Sequence, residues 1–119
     1  ALAVDVTLTG DVHECPKLSV ALGKGAAVKI MDEGIYCHKQ MVDFILDTAE
    51  KHDIPVQPEV MTRGATDAMA IHTSKSGVVT GAISIPQRYC HSPVETVDLD
   101  DCEAVFNLLK ASLEEGFTF

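Results

Sequence analysis

Apolar and polar positions along this chain fall into stretches that read alternately as strands and helices. Residues 1–8 (Ala1-Leu2-Ala3-Val4-Asp5-Val6-Thr7-Leu8) are almost continuously apolar, the pattern of a strand covered on both faces. Gly10, Asp11 and Pro16 mark a loop, and Gly23-Lys24-Gly25 marks another. Ala26 to Met31 reads as a second strand, ended by Asp32-Glu33-Gly34. From about His38 to His52 the apolar residues Met41, Val42, Ile45, Leu46 and Ala49 recur at helical steps and predict an amphipathic helix.

Ile54 to Val60 contains two prolines, which exclude helix and leave an extended edge strand. Thr66 to Thr73 predicts a short helix, and Val78 to Ile85 a strand interrupted by Gly81 and stopped by Pro86. The last helix is expected to start at Asp98 as N-cap and to end at Gly116. It should bury Cys102, Val105, Phe106, Leu109 and Leu113. Strands alternating with helices imply a layered α/β fold, a mixed, largely parallel sheet flanked by helices.

Composition narrows the partners. The 119 residues leave room for one domain, and the net charge of −9 argues against nucleic acid and anionic membrane, which demand Lys and Arg clusters. No apolar run approaches the ~20 residues of a membrane-spanning helix. Cys15, Cys37, Cys90 and Cys102 show no CxxC spacing, so a reducing, cytoplasmic setting is expected rather than a disulfide scaffold. The chain opens directly on a strand-like run at Ala1, as a piece of a longer protein would.

Three places hold candidate chemistry. Asp5 lies within an apolar strand, where a carboxylate needs a hydrogen-bond network, an arginine or a metal to offset desolvation. His91 follows the strand ending near Ile85, where ligands of open α/β sheets gather, and its neutral ring could bind a metal. Ser92-Pro93-Val94-Glu95 beside it equally has the form of a capping box. Thr66 and Asp67 open a short helix, and N-capping is their simpler role. Asp11 and Asp32 read as turn formers, and His13, His38 and His52 as solvated. No GxSxG, Walker or GxGxxG pattern occurs.

Taken in order, four segments resemble the dinuclear-metal aminopeptidases that include the glutamyl aminopeptidases and the tetrahedral, twelve-subunit peptidases. They are Val4-Asp5-Val6-Thr7 with Gly10-Asp11, Ala26 to Asp32, Thr66-Asp67-Ala68 before Ile71-His72, and Arg88 to Glu95. The resemblance implies a peptide substrate cut at its N-terminal residue, and two zinc or cobalt ions held by histidines, a bridging aspartate and further carboxylates, with a glutamate as base. By residue match, Asp5 corresponds to a terminal carboxylate ligand and His91 to the last histidine ligand, while Thr66, Asp67, Arg88, Tyr89 and Glu95 would line the site. Ala65 departs from the glycine usual at that turn.

The family's first histidine, bridging aspartate, glutamate pair and inserted dimerisation domain have no counterpart in this sequence. Residues 1–119 are therefore expected to form the C-terminal part of a catalytic domain. An upstream segment or a partner chain would complete the site, and a homo-oligomer would form when it is complete. One aspartate and one histidine cannot hold two ions, since a catalytic zinc takes about three protein ligands plus water, so the chain by itself is expected to be inactive. Two other readings stand beside this one. The first is a non-enzymatic chain that uses the fold for assembly. The second is a glycoside hydrolase, because relatives of the family often carry an endoglucanase label. The latter would need two carboxylates about 5–9.5 Å apart across a cleft.

Overall fold

The computed structural model describes residues 1–118. In chain order the elements are β1 (Leu2–Leu8), β2 (Ala26–Met31), α1 (Lys39–Lys51), β3 (Val56–Val60), α2 (Ala68–His72), β4 (Gly81–Arg88), β5 (Thr96–Val97) and α3 (Leu99–Glu115). The sheet runs β1-β4-β2-β3, with β5 added to the end of β4. β1 pairs in parallel with β4, and β2 with β3; an antiparallel contact of two residue pairs, Ala27–Ser84 and Val28–Ile83, joins the halves. The sheet is mixed and mostly parallel, and α1 and α3 pack against each other and against its central strands.

Side-chain alternation gives the two faces of this sheet different characters. A Cβ on Gly81 would strike Met41 and Ile45 of α1, so Gly81 and Ile83 face the helices, where Val28, Val105 and Leu108 complete an apolar core. Ser84, Lys29 and Glu59 occupy the opposite face and are buried there as well. α1 is amphipathic as its spacing predicts. Asp98 caps α3 by accepting from the Asp100 N–H at 2.9 Å, and Gly116 closes that helix at φ 74°.

Four expectations change. β1 is an edge strand, and Val4, Val6 and Leu8 expose the face that a doubly covered strand would bury. Asp5 is exposed too, so this chain imposes no desolvation that needs compensation. β4 runs through Pro86 to Arg88, because β2 pairs only as far as Ser84 and β5 begins at Gln87. The missing proline N–H thus falls where neither neighbour asks for a donor. On α3, Val105 is buried as expected, but Phe106 is 64% and Leu113 60% exposed, with Cys102 and Leu109 half-buried. The buried stripe instead follows Asp101, Ala104, Val105, Leu108, Ala111 and Ser112.

Candidate functional site

A cleft of about 210 Å³ opens on the polar face, lined by Asp5 to Leu8, by Met61 and Arg63 to Thr66, and by Cys90 and His91. Three segments far apart in sequence thus bring Asp5, Thr66 and His91 to one depression. Asp5 stands in β1 opposite Ser84 of β4, and its Oδ1 accepts from the N–H of Val6 at 2.8 Å. Burial raises the pKa of the Cys90 thiol, and the charges of Glu95 and Asp5 reinforce that shift.

His91 rides on the turn between β4 and β5, which reverses the chain so that Gln87 and Arg88 pair with Val97 and Thr96. No helix begins there. Ser92 Oγ accepts from the Val94 N–H at 3.3 Å and Glu95 Oε1 from the His91 N–H at 2.7 Å, so the cap-like sequence closes a hairpin turn. Tyr89 and His91 take positive φ of 57° and 62°, a left-handed conformation that side chains seldom adopt. Arg88 fixes the base of the turn. Its Nη2 donates to Asp11 Oδ2 at 2.6 Å and its Nε to Oδ1 at 3.2 Å, and this holds the Asp11 carboxyl well below the usual carboxylate range. Arg88, Tyr89, Glu95 and Asp67 lie outside the cleft lining. Asp67 occupies the N-cap position of α2 without a side-chain capping bond.

Beneath the cleft is a network that the sequence pattern did not reveal. Lys29 is 0% exposed and Glu59 1% exposed, and they form a buried ion pair across the β2–β3 register. Lys29 Nζ also lies 3.3 Å from Asp32 Oδ2. Thr7 and Ser84 each donate to Glu59 at 2.7 Å, and Thr66 Oγ1 donates to Asp32 Oδ2 at 3.2 Å. Asp32 keeps its turn role as well, accepting from the Gly34 and Ile35 N–H groups. A lysine inside the apolar run Ala26 to Met31 and a glutamate in the neighbouring strand were the available signal. Buried charges seldom occur unpaired.

The chain matches the family model of M42 glutamyl aminopeptidases over residues 1–108. It belongs to that family. It is 37% identical over 115 residues to the lysyl aminopeptidase of Pyrococcus furiosus, covering 96% of this chain and 32% of that protein. Among solved structures, the aminopeptidase APDkam598 from the archaeon Desulfurococcus kamchatkensis matches at a TM-score of 0.92 with 45% identity, over 97% of this chain and 34% of the other. The Pyrococcus horikoshii TET1 peptidase, described as assembling into a tetrahedron or a large octahedral shell, matches at 0.72 with 31% identity, over 92% of this chain and 32% of its own. This M42 chain spans about a third of the length of these relatives.

The family is one of metallopeptidases. Asp5 and His91 share the cleft, yet among the described residues no group of three His, Cys, Asp or Glu side chains is placed to hold a metal. Two donors fall short of the roughly three protein ligands of a catalytic zinc. These residues by themselves do not fit a metal ion.

Proposed function

We propose that this chain contributes one wall of the active site of a metal-dependent aminopeptidase, an enzyme that releases N-terminal residues from peptides. The observation that carries the reading is the convergence of Asp5, Thr66 and His91 on one cleft in a chain of the M42 family. In this reading Asp5 and His91 are two ligands of a zinc or cobalt centre whose remaining donors and general base lie beyond the described residues. Residues 1–119 are then the C-terminal part of a catalytic domain, inactive when isolated. A homo-oligomeric state is proposed from the assemblies formed by relatives. A cytoplasmic location is proposed from the four free cysteines; among the described residues no helix is long and apolar enough to cross a membrane.

The test is hydrolysis of aminoacyl-anilides by the full-length protein after loading with zinc or cobalt, with and without a chelator. Release that stops with chelator and returns with metal supports the reading, and chelator-insensitive release refutes it. Stoichiometric binding of two ions by residues 1–119 alone would contradict the claim that this portion is incomplete. The glycoside hydrolase alternative loses ground, because among the described residues lining the cleft Asp5 is the one carboxylate, where such an enzyme uses a pair.

A further inference from the structure

We propose that Thr66 is a hydrogen-bond acceptor for the α-ammonium group of a bound peptide, held in that role by the buried Asp32 and Lys29. The inference rests on the aminopeptidase reading and adds a residue and a polarity to it. Asp32 is buried, and its carboxylate has four donors around it. The N–H groups of Gly34 and Ile35 reach Oδ1 at 2.8 and 3.0 Å, and Lys29 Nζ and Thr66 Oγ1 reach Oδ2 at 3.3 and 3.2 Å. A carboxylate accepts and has no proton to give, so the hydroxyl of Thr66 must be the donor between them.

That commits the single proton of Thr66 inward and leaves only lone pairs for the cleft, which Thr66 lines beside Asp5. At Thr66 itself the hydroxyl therefore accepts and does not donate. Lys29 cannot swing away to release the arrangement, being wholly enclosed and paired to Glu59 on its other side. A protonated amine carries three donors and matches such an acceptor. Arg63, also in the cleft lining, has only donors and suits the carbonyl oxygens of the same ligand. The pair of residues therefore orients a peptide with its N terminus toward Thr66.

The experiment uses full-length protein with Thr66→Val, which keeps the shape and removes the hydroxyl, and Thr66→Ser, which keeps the hydroxyl. Two competitive ligands are compared, an amino-acid amide and its desamino counterpart. Thr66→Val should raise KM for an aminoacyl-anilide and Ki for the amino-acid amide about tenfold, the loss of one hydrogen bond to a charged group. It should change kcat less than about threefold and leave Ki of the desamino amide unmoved, since that ligand lacks the donor. Thr66→Ser should restore the wild-type values, and Asp32→Asn should add nothing to Thr66→Val.

Equal weakening of both ligands, no weakening, or failure of serine to rescue overturns the proposal. Should Thr66→Val not fold, as judged by its thermal transition, Thr66→Ala takes its place. If the wild type releases nothing from any aminoacyl-anilide, the aminopeptidase reading fails by itself. Binding of the two amides, followed through ¹H–¹⁵N shifts, then decides on Thr66. A wild-type preference for the amine that the valine variant abolishes upholds the role, and the absence of any preference sinks it.

Discussion

Replacing Lys29 with methionine isolates the contribution of the buried network. Methionine fills most of the lysine volume with apolar atoms, so the change chiefly removes a charge from between two carboxylates. Deleting one partner of a buried pair costs about 3–5 kcal/mol, because the other charge stays behind without compensation. Here the carboxylates keep some support. Glu59 retains the hydroxyls of Thr7 and Ser84, and Asp32 retains two backbone N–H groups and Thr66. The expected loss therefore sits at the lower end, about 3 kcal/mol, a large part of the 5–15 kcal/mol that holds a typical domain. In guanidinium chloride unfolding followed by far-ultraviolet circular dichroism, that corresponds to a midpoint lowered by about 1 M. Lys39→Met supplies the control, since the Lys39–Asp43 pair stands in water with the lysine side chain 83% exposed. It should cost under about 0.5 kcal/mol. If the two substitutions cost the same, Lys29 is hydrated in solution and the network does not fix the cleft wall.

Three further outcomes are expected. Asp11→Asn breaks the two-point bond to Arg88 at a half-exposed site and should cost about 1 kcal/mol at neutral pH, less in high salt. Because the folded-state pKa of Asp11 is depressed, its contribution is complete above the unfolded value near 4 and is lost as pH falls below that; denaturation at pH 7 and pH 3 should show the gap to wild type narrowing. Burial pushes the Cys37 thiol up to about 11, so a thiol reagent at pH 8 should label it only on unfolding, as peptide mass spectrometry would show. Leu108→Ala should cost about 2–5 kcal/mol and Phe106→Ala under about 1 kcal/mol, the reverse of their sizes, because the first is fully buried and the second mostly in water.

How much of this was legible depended on whether local pattern or distant contact decides each element. α1 could be read because its apolar residues recur on one face, and the Asp98 and Gly116 ends of α3 because capping is a local bond. Pro58 within β3 and Pro55 just before it marked the strand as an edge, which it is. The interior of α3 misled because Phe106, Leu109 and Leu113 form a second apolar stripe beside the one that faces the core. Periodicity reports that a face is apolar, not which of two faces is covered. Asp5 misled likewise, since an apolar run suggests burial on both sides only if a neighbouring strand and layer are there to supply it. The candidate site was legible in part. Asp5, Thr66 and His91 could be nominated, whereas Lys29 and Glu59 acquire meaning only when β2 and β3 align.

The alignment of β2 with β3 explains why one face of the sheet is polar and still buried. β3 runs parallel to β2 and so opposite to β4, which means the segment after β3 does not emerge beside the turn that carries His91. To meet Asp5 and His91, residues 61–66 must come across the sheet, and a backbone crossing it needs partners for its own polar groups. They are present in sequence order. The Met61 N–H donates to the Met31 carbonyl at 3.1 Å, Gly64 exchanges bonds with the backbone and carboxylate of Glu33, and Thr66 reaches Asp32. The antiparallel junction between β2 and β4 lasts only two residue pairs, and the Lys29–Glu59 pair with its attached hydroxyls is placed where that ladder stops. Of the bonds that hold the crossing segment, the one from Thr66 ends on a buried charge, Asp32, beside which Lys29 lies. The buried charges are therefore part of how the site is assembled, and disturbing them should displace Thr66 while Asp5 and His91, carried on other strands, stay in place.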